Sequence, residues 1–553
     1  MNDLMDQIKR VAAINAIEHD GKADRKSVLG KLLSLNPDLK KDIKNIISMV
    51  DSAVDEINSM NLDEIKEIAK IENEKHHKKE EVKSLPPLPD VKGEVIMRMA
   101  PSPSGPLHIG HSRMAILNDE YVRMYGGINI LRIEDTNPAN VEPEAYDMIK
   151  EDLEWLGVRV DKIVIQTDRF DAYYMYAKSL IEMGKAYITL CNEKEWRALK
   201  SKQKPCPDRD IEPGIHLERW EKMLGGEYNE REAVYVVKTD LSHPNPAIRD
   251  WAAFRIIKKP KHPRTGDKYI VYPLMNFSVA IDDHDYNLTH VIRGKDHLNN
   301  TYRQLYIYDY MKWNKPVFIH YGKVRIENFI LKTSIIKKGI RNGEYSGWDD
   351  VRLGTLKSLK KRGLMPESIR KYWVDVGLKD VDIVFSWELL YSYNRKIIDP
   401  VTKRYFFVSE PMEFEVKTEK ELVANIPLHP SNKSFGYRTY RITDGNKIMI
   451  TRKDYENVKD GKFRLKDLGN FRIENDKIIF IDNDTSNLKN FKIIHWVPEN
   501  SLKCMVFMPD GKIEDGFAEP LSINDVNNVV QFERFGFVKI VKNDSMIGYY
   551  THP

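Results

Sequence analysis

Three cysteines in 553 residues, Cys191, Cys206 and Cys504, are too few and too odd in number for a disulfide framework. Such sparse use points to a reducing compartment. Cys191 and Cys206 share one segment, but no CxxC and no histidine pair at zinc spacing completes a tetrahedral set. All three therefore read as structural thiols, and no structural metal is expected. No run of ~20 apolar residues occurs, which excludes a membrane-spanning helix. The basic start and apolar stretch of a secretory signal are missing too, so a cytoplasmic protein without a membrane partner is expected. A large excess of one charge is also lacking: 87 basic against 83 acidic residues leave +4. That balance does not announce a nucleic-acid binder, although local basic stripes on a nearly neutral protein can hold RNA. No internal repeat is visible.

At ~150 residues per domain, the length predicts three or four modules. Leu4, Ile8 and Val11, then Leu39, Ile43, Ile46, Val50, Val54 and Ile57, recur at spacings of three and four and predict helices up to about residue 80. A charge run from Glu74 to Lys83 and the prolines of LPPLP (Leu85 to Pro89) predict an extended linker and a domain boundary. The texture then changes. VIMRM (Val95 to Met99) reads as a buried strand, PSPSG (Pro101 to Gly105) as a turn, and Ile109 to Tyr125 as a helix stopped by Gly126-Gly127. Strands at Ile128 to Ile133 and Lys162 to Gln166 bracket a helix from about Glu142 to Leu156. Such alternation implies a parallel sheet covered on both faces, with its ligand site at the carboxyl ends of the strands. After about Lys396 the pattern is β. Tyr440 to Thr443 and Lys447 to Thr451 flank Asp444-Gly445-Asn446 as a hairpin, and Phe471 to Ile481 reads as another. Further strands are expected in Phe491 to Val497 and Val529 to Val541, making an antiparallel barrel or a pair of barrels.

The central motif is APSPSGPLHIGH, Ala100 to His111. A strand runs through a Pro/Gly turn into His-Ile-Gly-His at a helix start, where free N–H groups and the helix dipole favour an anion. Gly110 would let a ligand approach the backbone. His108 and His111, three apart, can donate to phosphate oxygens and stabilise charge on departing pyrophosphate.

With Arg98 before it and RIEDTNP (Arg132 to Pro138) after it, this string resembles the HIGH signature of class I aminoacyl-tRNA synthetases, in the glutamyl/glutaminyl subgroup. The resemblance continues through Thr239 to Ile256, Thr289 to His297, His320 to Gly322, Ser346 to Gly363 and Val529 to Phe537, and so covers about residues 90 to 553. The GWDD segment and the β-rich C-terminus resemble the archaeal and eukaryotic branch. The implied fold is multidomain, with a Rossmann-like α/β catalytic core, an N-terminal helical region and C-terminal β-barrels. The implied boundaries are 1–84 helical, 85–188 and 269–336 the catalytic halves, 189–268 an acceptor-stem insertion, 337–395 a helical stem-contact subdomain and 396–553 the anticodon-binding barrels.

The resemblance implies an ATP-dependent ligase with magnesium accompanying the triphosphate, and L-glutamate and tRNA(Glu) as substrates. No DNA partner is implied. Charging of tRNA(Gln) as well depends on how loosely the third anticodon base is read. Arg98 and Arg293 match positions that hold glutamate, whose second carboxylate needs a cationic partner. Glu134 matches the residue receiving the substrate ammonium. Ala100, Ser102, Tyr272 and Asn276 match further pocket positions, and a helix would put Tyr272 and Asn276 on one face.

One segment departs from the family pattern. Where KMSKS-like lysines are expected, ILKTSIIKKGI (Ile330 to Ile340) has Thr333. Lys332 is expected to serve the phosphates, with Ser334 shaping the loop and Lys337 or Lys338 assisting. Lys357 to Gly363 and Lys258 to Arg264 are candidate tRNA contacts. A glutaminyl enzyme, disfavoured by Arg293 and Glu134, and a tRNA-binding relative that no longer charges tRNA, are the alternatives.

Overall fold

The helical N-terminal stripe folds back on itself as α1 (Asn2–Glu18), α2 (Arg25–Leu35) and α3 (Ile43–Ser59). Ile8 of α1 and Ile46, Val50, Val54 and Ile57 of α3 fill one small core. The computed structural model describes residues 2–18, 21–35, 39, 42–61, 64–65, 68, 85–486, 488–542 and 545–553. The charge run from Glu74 to Lys83 lies outside them. The chain divides into two units, Met1–Ser84 and Leu85–Pro553.

LPPLP is not a free linker. Its prolines hold an extended conformation, and Leu85 and Leu88 pack beside Val95, Met97, Leu117 and Tyr121. The Tyr121 hydroxyl donates to the carbonyl of Pro86 at 2.9 Å, which fixes the strip to the second unit.

The first half-sheet forms where apolar runs alternate with amphipathic helices. β1 (Ile96–Met99), α4 (Ile109–Tyr125), β2 (Ile128–Ile133), α5 (Ala145–Trp155) and β3 (Lys162–Ile165) follow in order. β1, β2 and β3 pair in parallel. Further along the chain, β4 (His290–Gly294) pairs in parallel with β5 (Val317–Tyr321). Thr289, just before β4, donates its N–H to the carbonyl of Ile96 at 3.0 Å. Strand β1 thus lies between a half-sheet built early and one built late, where strand order reverses and a crevice opens.

Between the halves, Ala186–Thr189, Val234–Val237, Trp251–Ile256 and Val271–Pro273 make a four-stranded antiparallel sheet. An aromatic core including Trp220, Tyr235, Phe254 and Tyr272 lies against it. The C-terminal part carries two seven-stranded, barrel-like sheets with separate cores. They are mixed rather than purely antiparallel: Glu415–Lys417 runs parallel to Lys477–Ile479, and Cys504–Phe507 to Met546–Tyr549.

Gly469–Glu474 and Lys477–Asp482 form the hairpin their sequence predicts. The other predicted hairpin does not form. Its turn is present, with Asn446 N–H on the carbonyl of Thr443 at 3.1 Å, but its arms part. Tyr437–Ile442 pairs with Leu422–Pro427, while Lys447–Thr451 pairs with Pro411–Lys417 and Val497–Pro498. Ile448, Met449 and Ile450 are all buried, so that strand needs cover on both faces and takes an interior place in a sheet. Among the described residues, no helix is long and apolar enough to cross a membrane.

Candidate active site

His108 is the N-cap of α4, and the histidine rings stack with centroids 3.6 Å apart. His108 Nδ1 accepts from Gly110 N–H at 3.1 Å and His111 N–H at 3.3 Å, and His111 Nδ1 accepts from His108 N–H at 3.4 Å. Because both Nδ1 atoms accept, each ring carries its proton on Nε2. Burial holds His108 well below the ordinary histidine range, and burial lowers His111 to about 4. Both are therefore neutral Nε2–H donors at neutral pH. A Cβ on Gly110 would lie 3.0 Å from His108 Cε1, so the missing side chain makes room for that ring.

The segment Leu353-Gly354-Thr355 ties this motif to the altered lysine loop. His108 bridges to Thr355 and Ile330 to Leu353, and Ile109 N–H donates to the carbonyl of Gly354 at 3.0 Å. A Cβ on Gly354 would sit 2.3 Å from Leu331 Cδ2. Gly105, in the PSPSG turn, is also crowded, with Trp348 and Thr333 at 2.8 and 3.1 Å from its would-be Cβ. Lys332 is the N-cap of α6 (Thr333–Arg341). With Ser104, Glu142, Ser334 and Lys338 it lines a cleft of about 550 Å³. Lys337 is not free there, since its Nζ meets Glu142 Oε1 at 2.6 Å.

At the carboxyl ends of β1, β2 and β4 stand Arg98, Arg132 with Glu134, and Arg293. Asp283, on α7 (Met275–Asp285), meets Arg132 at 2.5 Å and Arg98 at 3.6 Å, while Arg132 reaches Glu134 at 3.4 Å. Burial would lower the Arg132 pKa, but Asp283, Glu134 and Asp282 raise it above the ordinary value. Burial lowers Arg98 and raises Glu134.

Arg293 differs from both. No carboxylate of the described residues lies within ion-pair distance of it, although its buried Nε, like those of Arg98 and Arg132, has no hydrogen-bond partner among the described residues. Its guanidinium donates to Thr301 Oγ1 and, at 2.9 Å, to Gln304 Oε1. Burial and then repulsion from Arg98 push it down to about 10, with Asp283 and Glu134 opposing this from beyond ion-pair distance. A buried cation in a crevice with no carboxylate in direct contact is the chemistry of an anion site.

Ala100 is half-buried and Ser102 exposed. Glu134 N–H donates to the carbonyl of Pro101 at 3.0 Å, which keeps this turn beside the acid. Asn276 lies at the start of α7 and takes a 3.3 Å bond from Gln304 Nε2. Tyr272 is not on that helix. It sits in strand Val271–Pro273, since Pro273 ends the strand before α7 begins, and it is fully buried against Phe170.

In the basic runs Lys259, Lys261, Arg264 and Lys360 are exposed, while Arg362 and His262 turn inward. Arg362 is buried and donates to the carbonyls of Tyr550 at 2.9 Å and Thr551 at 2.8 Å. Buried His262 lies 3.0 Å from the Asp135 carbonyl, and Arg264 pairs with Asp168 at 3.1 Å.

Cys191 and Cys206 do meet, with sulfurs 2.9 Å apart and Asp208 Oδ2 at 3.6 and 3.8 Å. These are the donors among the described residues that could gather on a metal ion. Tetrahedral zinc separates thiolates by about 3.8 Å, so the sulfurs would have to part. Asp208 already holds Arg219 at 2.8 Å, and burial pushes Cys206 up to about 12, keeping it a thiol.

Sequence reasoning did not assign roles to Asp283, Arg132, Thr301 and Gln304. Adjacent acids in IDDHD, directly after the apolar run Val279 to Ile281, were the available signal for Asp283. Nothing local marks Gln304.

A parallel sheet that opens into a histidine-capped helix, with a second lysine loop stitched beside it, is the arrangement of class I synthetases. Residues 94–400 match the model for the catalytic domain of class I tRNA synthetases (E and Q), and 402–489 and 493–541 match two anticodon-binding domains of the same group. Relatives span the whole length. The chain is 50% identical over 551 residues to a glutamate–tRNA ligase of Thermoplasma volcanium, covering 99% of each. It is 48% identical over 557 residues to one of Methanocaldococcus jannaschii, covering 99% of this chain and 100% of that one. A third, of Pyrococcus abyssi, is 46% identical over 563 residues, with 98% of each covered. The chain belongs to the class I tRNA synthetases of the E and Q type.

Proposed function

We propose that the chain attaches L-glutamate to tRNA(Glu) using ATP. A glutamate α-carboxylate oxygen attacks the α-phosphorus, the bond to the β-phosphate breaks and pyrophosphate leaves. The 2′-hydroxyl of the terminal adenosine then attacks the glutamyl carbonyl, and AMP departs. In this reading the neutral Nε2–H groups of His108 and His111, with Lys332 and Ser334 across the turn, hold the triphosphate. Magnesium travelling with ATP supplies further charge neutralisation. Arg293 takes the side-chain carboxylate, Arg98 assists, Glu134 receives the ammonium, and Ala100, Ser102 and Asn276 border the pocket. Tyr272 supports it from the core.

The observation that carries this reading is Arg293, a buried guanidinium without a carboxylate partner among the described residues. An amide substrate would leave that charge uncompensated, and a carboxylate would neutralise it. The names of the relatives agree with this choice. The test is charging of purified tRNA(Glu) and tRNA(Gln) transcripts with labelled glutamate and ATP, with glutamine in parallel. Glutamate on tRNA(Glu) is expected, and glutamate on neither transcript would refute the reading. The tRNA(Gln) arm decides whether both tRNAs are substrates.

A further inference from the structure

The residues behind Arg293 are as informative as the arginine itself. Arg132, a neighbouring buried guanidinium, is backed by Asp283 at 2.5 Å. Among the described residues Arg293 is backed only by neutral oxygens, those of Thr301 and Gln304, with the ring of Phe318 4.9 Å away. Gln304 is fully buried. A guanidinium can only donate, so Gln304 must present Oε1 to it and turn Nε2 the other way. Nε2 then donates to Asn276 Oδ1 at 3.3 Å. One amide therefore orients two residues of the proposed pocket, and it leaves the Nδ2 hydrogens of Asn276 for another acceptor.

Thr301 Oγ1, having accepted from Arg293, lies 2.8 Å from His320 Nε2. Burial, then Arg293 and His297, lower His320 to about 4, so the ring is neutral at neutral pH. A cationic ring would have stood like charge beside the guanidinium. Every group that holds Arg293 is thus uncharged. If one were a carboxylate, Arg293 would already belong to an ion pair, and an incoming carboxylate would gain little over an amide.

We propose that Gln304 and the Thr301–His320 pair are positioning residues that aim Arg293 while leaving its charge uncompensated, and that this neutral backing sets the preference for glutamate over glutamine. The inference rests on the proposed glutamate-charging activity. Wild-type charging is therefore measured first, and failure there refutes that activity rather than this assignment.

The deciding variant is Gln304→Glu. It keeps an oxygen for Arg293 to donate to and changes chiefly the charge. Charging kinetics with glutamate and glutamine, and the KM for ATP, are measured for wild type and variant. The glutamate KM is expected to rise at least ~10-fold, with the ATP KM and the rate at saturating glutamate within about twofold, and the glutamate-to-glutamine preference should fall by a similar factor. An unchanged glutamate KM, or equal changes for both amino acids, overturns the proposal. So does a loss of rate together with a raised ATP KM, which marks a merely structural role. Thr301→Val serves as a second variant should Gln304→Glu fail to fold. It keeps the shape, removes the oxygen, and is expected to raise the glutamate KM selectively; an unselective change overturns the proposal.

Discussion

Arg293 and Lys332 are the residues whose removal separates the two halves of the chemistry. Arg293→Leu removes the only cation in the pocket that lacks a described carboxylate partner. It should raise the glutamate KM on the order of 100-fold while the ATP KM stays near wild type, as read from pyrophosphate-exchange kinetics. A parallel rise in the ATP KM would instead mean that the pocket had collapsed. Lys332→Ala addresses the triphosphate: exchange should slow on the order of 10- to 100-fold, and an unchanged rate would return Lys332 to a solvated loop lysine. At this scale the motif residues were legible because each lies beside a turn with strong local chemistry. Gln304 was not, because its role exists only once α7 and the helix Leu298–Met311 meet.

The turn that carries His108 and His111 depends on a buried acid beneath it. Asp152 of α5 accepts from Leu107 N–H at 2.7 Å, and burial pushes its carboxyl up to about 7. A folded-state value above the unfolded one means that the unfolded chain loses this proton first as the pH rises. The stability from protonated Asp152 is therefore full in acid and is lost as the pH climbs from about 4 towards 7. Asp152→Asn keeps an acceptor for Leu107 and removes the titration. Its melting temperature should match wild type near pH 4, exceed it increasingly as the pH rises towards 7, and keep a steady margin above that. A constant offset at all pH values would refute this assignment. Gly105 is the matching constraint at the other end of the turn. Gly105→Ala drives a methyl into Trp348 and should raise the ATP KM in exchange assays, because the PSPSG turn and the Lys332 loop could no longer lie together. An unaltered ATP KM would show that the turn and loop close independently. The helix Ile109–Tyr125 and its αL stop at Gly126 were readable from sequence. The parting of Tyr437–Ile442 from Lys447–Thr451 was not, because local turn chemistry is the same whether the arms pair with each other or with distant strands.

Within the larger unit, the catalytic elements join the C-terminal sheets through Arg362. This residue was grouped by sequence with tRNA-facing lysines, but it is buried and holds the carbonyls of Tyr550 and Thr551, while Thr551 Oγ1 donates back to its own carbonyl. Arg362→Met leaves those buried acceptors unpaired and should cost about 2 kcal/mol of stability. A lowered melting temperature is expected, with faster amide exchange in Met546–His552 and a raised tRNA KM beside an unchanged glutamate KM. Amide exchange unchanged in that strand would remove Arg362 from this role. The terminal residues Thr551 and His552 are themselves buried, so the last strand is part of the joint rather than a trailing end.

The sequence by itself determined the order of strands and helices, the histidine-capped turn, the β character of the C-terminal part and the family these imply. Each is written in local periodicity or in a contiguous motif. The tertiary structure alone decided which charges face one another. Asp283 neutralises Arg132 from 151 positions away in the chain, Gln304 links Arg293 to Asn276, and Arg362 turns inward. Coulombic and hydrogen-bond energies depend on distance through space and on burial, and neither is fixed by spacing along the chain.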